Sequence, residues 1–113
     1  MARLDYVELP ATDIAATRGF YERAFGWTMM AFAPTYAATT TSDTNLGLQA
    51  DAAERPAAPL AVIQVNDVEA ALTAVEQAGG KIVNPIRSFP GGRRFHFTDP
   101  SGNELAVWQT APE

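Results

Sequence analysis

Two stretches of the chain carry the same series of helix signals, and this repeat limits the possible folds more than any other feature. Thr12 or Asp13 in the first copy and Asp67 in the second stand before a stripe of apolar residues at spacings of three and four, which predicts a helix capped by one of these side chains. Glycines follow both stripes, Gly26 in the first copy and Gly80 in the second. A shift of 54 residues superimposes the capping residue, the apolar stripe and the glycine that ends the helix. The chain is therefore interpreted as two copies of one supersecondary unit.

Alternating apolar and polar residues around both helices predict strands. These cover residues 4–9, 27–33, 35–41, 45–50, 60–65 and 81–84, and a hairpin over 95–108 ends the series. The polar stretch 51–59 contains prolines and has no periodicity, which predicts a linker. We therefore predict one domain over residues 1–113, with module 1 at 1–50 and module 2 at 60–113. A module of roughly 55 residues is marginally stable alone, so we expect the two to share a core and enclose the ligand site.

The predicted hairpin has one apolar face and one mixed face. Its turn is Asp99-Pro100-Ser101-Gly102. The proline has a fixed φ and the glycine tolerates a positive φ, and both are typical of tight turns. Period-two alternation places Phe95, Phe97, Leu105 and Val107 on the apolar face, and Arg94, His96, Thr98, Glu104, Ala106 and Trp108 on the other. The mixed face is typical of a pocket lining, and it carries the single histidine of the chain.

Composition excludes several classes of function. The net charge of −5 argues against nucleic acid and anionic membranes as partners, because both favour basic surfaces. The chain has no cysteine, which excludes disulfides and thiolate chemistry. No apolar run approaches the roughly 20 residues of a membrane span, and the N-terminus lacks a signal-peptide pattern. We expect a cytoplasmic protein.

Three segments resemble one known family. They are Phe20–Trp27 (FYERAFGW), Val65–Leu72 (VNDVEAAL) with the following Ala78-Gly79-Gly80, and Phe97–Leu105 (FTDPSGNEL). The chain resembles the vicinal oxygen chelate superfamily, also called the glyoxalase/bleomycin resistance/dioxygenase superfamily, and within it the subgroup related to lactoylglutathione lyase. The resemblance implies an α+β fold in which two βαβββ modules form a cupped, eight-stranded mixed sheet with helices on the outer face. It also implies a homodimer.

Enzymes of this superfamily bind a divalent metal through a His or Glu from each of four strands, and the corresponding positions here hold other residues. They are Tyr6, Leu60, Ala106 and the group Leu48-Gln49-Ala50. Leucine and alanine have no lone pair to donate, and phenol or carboxamide oxygens are weak replacements for imidazole or carboxylate. We predict no metal and no cofactor.

The predicted function is metal-free binding of a small hydrophobic or aromatic molecule, as in the antibiotic-binding members of the resembled family. The predicted ligand-binding residues are Tyr6, Glu8, Gln64, Arg94, His96 and Trp108. Two alternatives stay open: a glyoxalase-type lyase or isomerase, or a dioxygenase, with relocated ligands, and a structural or interaction module. His96, Glu8 and Glu104 are the candidate catalytic residues of an enzyme, and the sequence does not decide whether the chain is one.

Some aromatic and loop residues admit two interpretations. His96 could also be a passive part of the pocket lining. The segment 89–94 reads as a hairpin connection whose exit arginines, Arg93 or Arg94, could pair with an acidic ligand. Trp27 and Tyr36 could complete an aromatic box with Tyr6 and Trp108. We assign Phe20, Phe25, Phe95 and Phe97 to the core.

Overall fold

The computed structural model of the chain describes residues 2–112, which contain eight strands and two helices. In chain order these are β1 (Arg3–Pro10), α1 (Ile14–Phe25), β2 (Met30–Ala33), β3 (Tyr36–Ala38), β4 (Asn45–Gln49), β5 (Leu60–Gln64), α2 (Val68–Gln77), β6 (Lys81–Phe89), β7 (Gly92–Thr98) and β8 (Glu104–Thr110). Parallel and antiparallel pairs both occur. The predicted α+β class with an eight-stranded mixed sheet and twice-repeated βαβββ order is confirmed.

Two compact units make up the described chain. The N-terminal unit is residues 6–60, and the C-terminal unit joins residues 61–112 to residues 2–5 at the start of β1. Strand order in the N-terminal unit is β2-β3-β4-β1, with β1 parallel to β4. Strand order in the C-terminal unit is β5-β8-β7-β6, with β5 parallel to β8.

Each helix starts at a cap that the sequence predicts, and of the two candidates before α1, Thr12 and Asp13, the cap is Asp13. The carboxylate of Asp13 accepts the backbone N–H of Ala16 at 3.0 Å, and that of Asp67 accepts the N–H of Ala70 at the same distance. Gly26 ends α1 with a φ of 72°. The repeat is less regular at the end of α2, because the left-handed residue there is Gly79, with a φ of 100°, rather than Gly80.

Each helix covers one face of its own strands. In the N-terminal unit the fully buried Met29 and Leu48 pack with Ala11, and Ile14 and Tyr21 of α1 pack against them. In the C-terminal unit Val68 of α2 packs on Phe95 and Val107, which are both buried. Phe97 joins this second core, so its assignment and that of Phe95 are confirmed.

The assignment of Phe20 and Phe25 to the core is wrong. Their exposed fractions are 54% and 60%, because the buried stripe of α1 contains Ile14 and Tyr21 and does not extend to these two rings. Both rings belong to an aromatic surface cluster that also contains Tyr21 and Trp27, with Tyr21 and Trp27 stacked at 5.7 Å. Trp27 is 41% exposed.

The predicted end of the strand at residue 84 is also wrong. β6 continues to Phe89, and its pairing with β7 shifts register on both sides of Asn84. Pro85 lies within the second register shift, and β6 is the outer strand of the C-terminal unit. Proline has no backbone N–H, and at this irregular position of an outer strand its absence does not interrupt the regular hydrogen bonds between β6 and β7. The connection to β7 is therefore a tight turn, in which Phe89 pairs with Gly92.

Neither α1 nor α2 has the length and apolar character that a bilayer-crossing helix needs.

Candidate functional site

Four of the six predicted ligand-binding residues lie on neighbouring strands of the C-terminal unit. Arg94 pairs with Trp108 across β7 and β8, and Gln64 of β5 pairs with Trp108 on its other side. His96 is two residues from Arg94 and therefore on the same face. Because Phe95 and Val107 point into the core under α2, these four side chains share the opposite face, which we call the mixed face.

Hydrogen bonds fix the tautomer of His96. Its Nε2 lies 2.7 Å from Nη2 and 3.2 Å from Nε of Arg94, and its Nδ1 lies 2.8 Å from Oε2 of Glu104. A guanidinium only donates hydrogen bonds, so Nε2 accepts and carries no proton. The proton of the neutral ring is then on Nδ1, where it is donated to Glu104. We call Arg94, His96 and Glu104 the arginine relay.

Burial lowers the pKa of His96. The side chain is only 7% exposed, and desolvation of the charged ring is the largest cause of the shift. The hydrogen bond to Glu104 raises the pKa and the charge of Arg94 lowers it again, and the net direction is down. His96 is therefore neutral at pH 7, and the lone pair that a general base would use already accepts from Arg94. The arrangement makes His96 a residue that positions Arg94.

Trp108 is part of an aromatic surface beside this relay. Its ring centroid lies 6.3 Å from that of Phe89, and the guanidinium carbon of Arg94 lies 6.0 Å from the Phe89 centroid. Indole Nε1 of Trp108 donates to Oδ1 of Asp5 at 3.1 Å, and Asp5 is 8% exposed. Flat and hydrophobic molecules can stack on such a surface next to a fixed cation.

Sequence reasoning missed Phe89 and Asp5. Phe89 was assigned to the hairpin connection, and only the tight turn that pairs it with Gly92 places it beside Trp108. Alternation in β1 placed Asp5 and Tyr6 on opposite faces of the strand. It gave no reason to connect Asp5 with Trp108, which is 103 positions later. Arg93, by contrast, pairs with Glu69 of α2 at 2.6 Å and is not part of the mixed face.

The other two predicted residues, Tyr6 and Glu8, lie in the N-terminal unit and meet Tyr36 of β3. The phenol oxygens of Tyr6 and Tyr36 are hydrogen-bonded, and Oη of Tyr36 donates to Oε1 of Glu8 at 3.4 Å. Glu8 is 4% exposed. The two phenol oxygens lie directly over Gly47 of β4, where any side chain would collide with both. We call Tyr6, Tyr36 and Glu8 the tyrosine relay.

The predicted aromatic box does not form as a single group. Tyr36 joins Tyr6 as expected, but Trp27 stacks on Tyr21 and Phe25 of the surface cluster. Trp27 also lines a pocket of about 220 Å³ in the N-terminal unit, with Val7, Thr39 and Asn45 among the other lining residues. No predicted ligand-binding residue lines that pocket, and Thr39 Oγ1 donates to Asn45 Oδ1 within it at 2.9 Å.

The residues present do not fit the metal centre that the fold family implies. Leu60 and Ala106 are apolar and buried at 2% and 0% exposure, and Leu48 belongs to the core under α1. The side-chain oxygen of Gln49 accepts the backbone N–H of Asp51 at 3.0 Å. Within residues 2–112 no three His, Cys, Asp or Glu side chains group together so that they could hold a metal ion. His96 and Glu104 provide a pair of donors, and a metal ion commonly needs at least three from the protein.

Comparisons with known proteins agree with this fold. The model of the glyoxalase/bleomycin resistance protein/dioxygenase superfamily matches residues 3–107. The anthracycline biosynthesis protein DauV of Streptomyces sp. (strain C5) is 29% identical over 125 residues, which cover 92% of this chain and 46% of that protein. The chain thus spans about half the length of the curated relatives that it matches.

Solved structures show the same fold at low identity. Methylmalonyl-CoA epimerase from Mycobacterium tuberculosis has a TM-score of 0.79 at 17% identity, with 96% of this chain and 88% of that chain covered. A superfamily member from Vibrio splendidus 12B01 has a TM-score of 0.73 at 17% identity, with 96% and 99% covered. The chain belongs to the glyoxalase/bleomycin resistance protein/dioxygenase superfamily.

Proposed function

We propose that this chain binds a small aromatic or hydrophobic molecule on the mixed face without a metal ion. The observation that carries the proposal is the aromatic surface of Trp108 and Phe89 with the Arg94 guanidinium held beside it. A flat molecule would stack on Trp108, and Gln64 and Arg94 would orient its polar groups. The superfamily relationship supports a small-molecule ligand, since its members include enzymes and resistance proteins.

Arg94 determines which polar group the ligand carries at this end. Two of its N–H groups donate to His96, and His96 in turn donates to Glu104, so the guanidinium is fixed before a ligand arrives. A guanidinium donates only, and it recognises acceptor oxygens such as those of a carboxylate or carbonyl. An aromatic carboxylate therefore combines both features of the surface.

Calorimetric titration with 2-naphthoate tests the proposal. We expect measurable binding to the unmodified protein and a roughly tenfold loss of affinity in Trp108→Ala, because an aromatic pair contributes up to about 1.5 kcal/mol beyond the buried area. Calorimetry is preferable to fluorescence here, since removing Trp108 also removes its signal. Trp27→Ala is the matched control, because Trp27 belongs to the surface cluster and not to the mixed face. Equal affinities for the unmodified and the Trp108→Ala protein would contradict the proposal.

The homodimer expected from the family resemblance is also part of the proposal. The exposed rings of Phe20, Phe25 and Trp27 support it, because three neighbouring aromatic residues are rarely left in water. Sedimentation velocity should give twice the monomer mass for the unmodified protein and a shift toward monomer for Phe25→Ser. A monomer at all concentrations tested would rule the dimer out.

A further inference from the structure

We propose that the pocket of about 220 Å³ in the N-terminal unit binds a neutral sugar in its pyranose form. The lining consists of the indole of Trp27, two aliphatic side chains and four small polar side chains, and within residues 2–112 no charged side chain lines it. The pocket shares no residue with the mixed face or with the tyrosine relay. The inference therefore goes beyond the proposed function and does not depend on it.

Two paired strands form the apolar part of the pocket. Val7 of β1 and Leu46 of β4 are partners in the parallel ladder, and both line the pocket. Leu46 packs against the core under α1, so the pocket lies on the side of these strands that the helix covers. Tyr6 and Glu8 alternate with Val7 along β1, which places the tyrosine relay on the other side of the sheet. The pocket and the relay are separate sites.

The loop between β3 and β4 forms the polar part, and its own hydrogen bonds hold it in place. Oδ1 of Asn45 accepts the hydroxyl proton of Thr39 at 2.9 Å and the backbone N–H of Ser42 at 3.2 Å. Nδ2 of Asn45 donates to the Ser42 carbonyl at 3.0 Å, and Oγ1 of Thr39 accepts the N–H of Leu46 at 3.0 Å. Because the loop is ordered before a ligand arrives, binding costs less conformational entropy.

Two hydroxyls of this loop are open to a ligand. Ser42 and Thr44 are exposed and line the pocket, and within residues 2–112 their side-chain oxygens have no hydrogen-bond partner. A serine or threonine hydroxyl both donates and accepts, as does each hydroxyl of a sugar. An anion would meet no cation in the lining, and the carboxylate of Asp43 lies between these two residues in the chain. A neutral hydroxylated ligand matches this lining.

Trp27 provides a flat apolar wall beside these hydroxyls. Its ring stacks on Tyr21 with 5.7 Å between the centroids and 6° between the planes, which holds the indole in one orientation, and the residue is still 41% exposed. A pyranose ring has a face of C–H groups that can pack on an indole and an edge of hydroxyls that can meet the loop. The volume of about 220 Å³ is below the roughly 300 Å³ at which pockets for drug-sized ligands begin, so the pocket suits a single ring.

Titration of the ¹⁵N-labelled protein with methyl β-D-glucopyranoside tests the inference. The chain has two tryptophans, so the two indole N–H signals report separately on the pocket and on the mixed face, and Trp108→Ala assigns them. We expect a saturable shift of the Trp27 signal and no shift of the Trp108 signal. Tetrahydropyran has the same ring without hydroxyls and should bind at least roughly fivefold more weakly, as one lost net hydrogen bond implies.

Three single substitutions test the role of the loop hydroxyls. Thr44→Val replaces the hydroxyl by a methyl group, and Ser42→Ala removes it, so each should weaken binding of the glucoside roughly fivefold. Thr40→Val is the matched control, because Thr40 is an exposed residue of the same loop that does not line the pocket, and its affinity should equal that of the unmodified protein. Equal affinities for the glucoside and tetrahydropyran, or equal affinities for the glucoside in Thr44→Val and Thr40→Val, overturn the inference.

Two further titrations separate this inference from the proposed function and from the proposed dimer. A saturable glucoside shift of the Trp27 signal in a protein that does not bind 2-naphthoate would refute the proposed function alone. Trp27 also belongs to the surface cluster, so the glucoside titration is repeated with Phe25→Ser. Binding to either form supports the sugar site. No shift of the Trp27 signal in both forms, in a protein that binds 2-naphthoate, refutes the sugar site alone.

Discussion

The two units carry hydrogen-bonded relays of different composition on equivalent sheet faces. Each relay lies on the face away from its helix and ends at a glutamate, Glu8 in the N-terminal unit and Glu104 in the C-terminal unit. The arginine relay begins with a guanidinium, which only donates hydrogen bonds, whereas the tyrosine relay contains two phenols, which both donate and accept. Duplication of one supersecondary unit has therefore kept the backbone and changed the chemistry of its surface.

The largest expected effects come from the two cores on the other side of these faces. Phe95→Ala should lower the free energy of unfolding by about 3–5 kcal/mol and Leu48→Ala by about 2–5 kcal/mol, because each leaves a cavity under its helix. Urea denaturation measures both. Phe32→Ala is the matched control for an exposed ring outside the surface cluster and should cost well under 1 kcal/mol. A large cost for Phe32→Ala would contradict the role of burial in the other two values.

Replacing one member of each relay compares the contributions of the two relays to the free energy of unfolding. Glu104→Ala leaves the Nδ1–H of His96 without its carboxylate, and His96 is 7% exposed, so we expect a loss of about 1–3 kcal/mol. Tyr36→Phe removes one hydroxyl from the tyrosine relay and should cost about 1 kcal/mol. Urea denaturation of both variants gives the two values. A negligible cost for Glu104→Ala would show that solvent replaces the carboxylate at Nδ1.

Only the arginine relay contains a histidine, so only it should respond to pH between 5 and 7. Burial lowers the pKa of His96 below the ordinary value of about 6.5, and the unfolded chain therefore binds more protons in this range. Stability should fall as the pH decreases through about 6.5 and level off below the folded-state pKa. NMR titration of the single imidazole checks the direction, and unfolding of His96→Gln should lose this part of the pH dependence. A His96 pKa above 6.5 would contradict the predicted effect of burial.

Local signals in the sequence were sufficient for the elements and for the faces of the hairpin. Caps at Asp13 and Asp67 depend on one side chain and the next few amides, and alternation depends on the pleat alone. Arg94, His96 and Trp108 were therefore placed together correctly from the sequence. The family resemblance added the arrangement of these strands in a mixed sheet, which periodicity alone does not specify.

Contacts that depend on strand register, or on an irregularity in the pairing of two strands, were not predictable from the sequence. Tyr6 and Tyr36 meet because a third strand with a glycine lies between them, which no spacing in the sequence encodes. Pro85 ended the predicted strand, but the register shift around it allows β6 to continue and to bring Phe89 to Trp108. The helical stripe of α1 was read as wider than the face that its unit buries, and Phe20 and Phe25 were misassigned for that reason.

The smallest expected effect is that of divalent metal ions, which should bind neither relay tightly. His96 Nε2 accepts from Arg94, and a cation at that nitrogen would have to displace a guanidinium and stand beside its charge. The tyrosine relay offers one carboxylate and two phenols, a poor donor set for zinc, nickel or iron(II). We expect substoichiometric metal by elemental analysis after incubation with each ion and dialysis, and melting temperatures that shift by no more than about 1 °C.

Arg94→Ala frees the imidazole nitrogen and is the informative comparison, since any gain in zinc retention there would identify Arg94 as the group that keeps metal away. Near-stoichiometric metal in the unmodified protein would instead favour the enzyme alternative, and Glu8, His96 and Glu104 would be the residues to replace first.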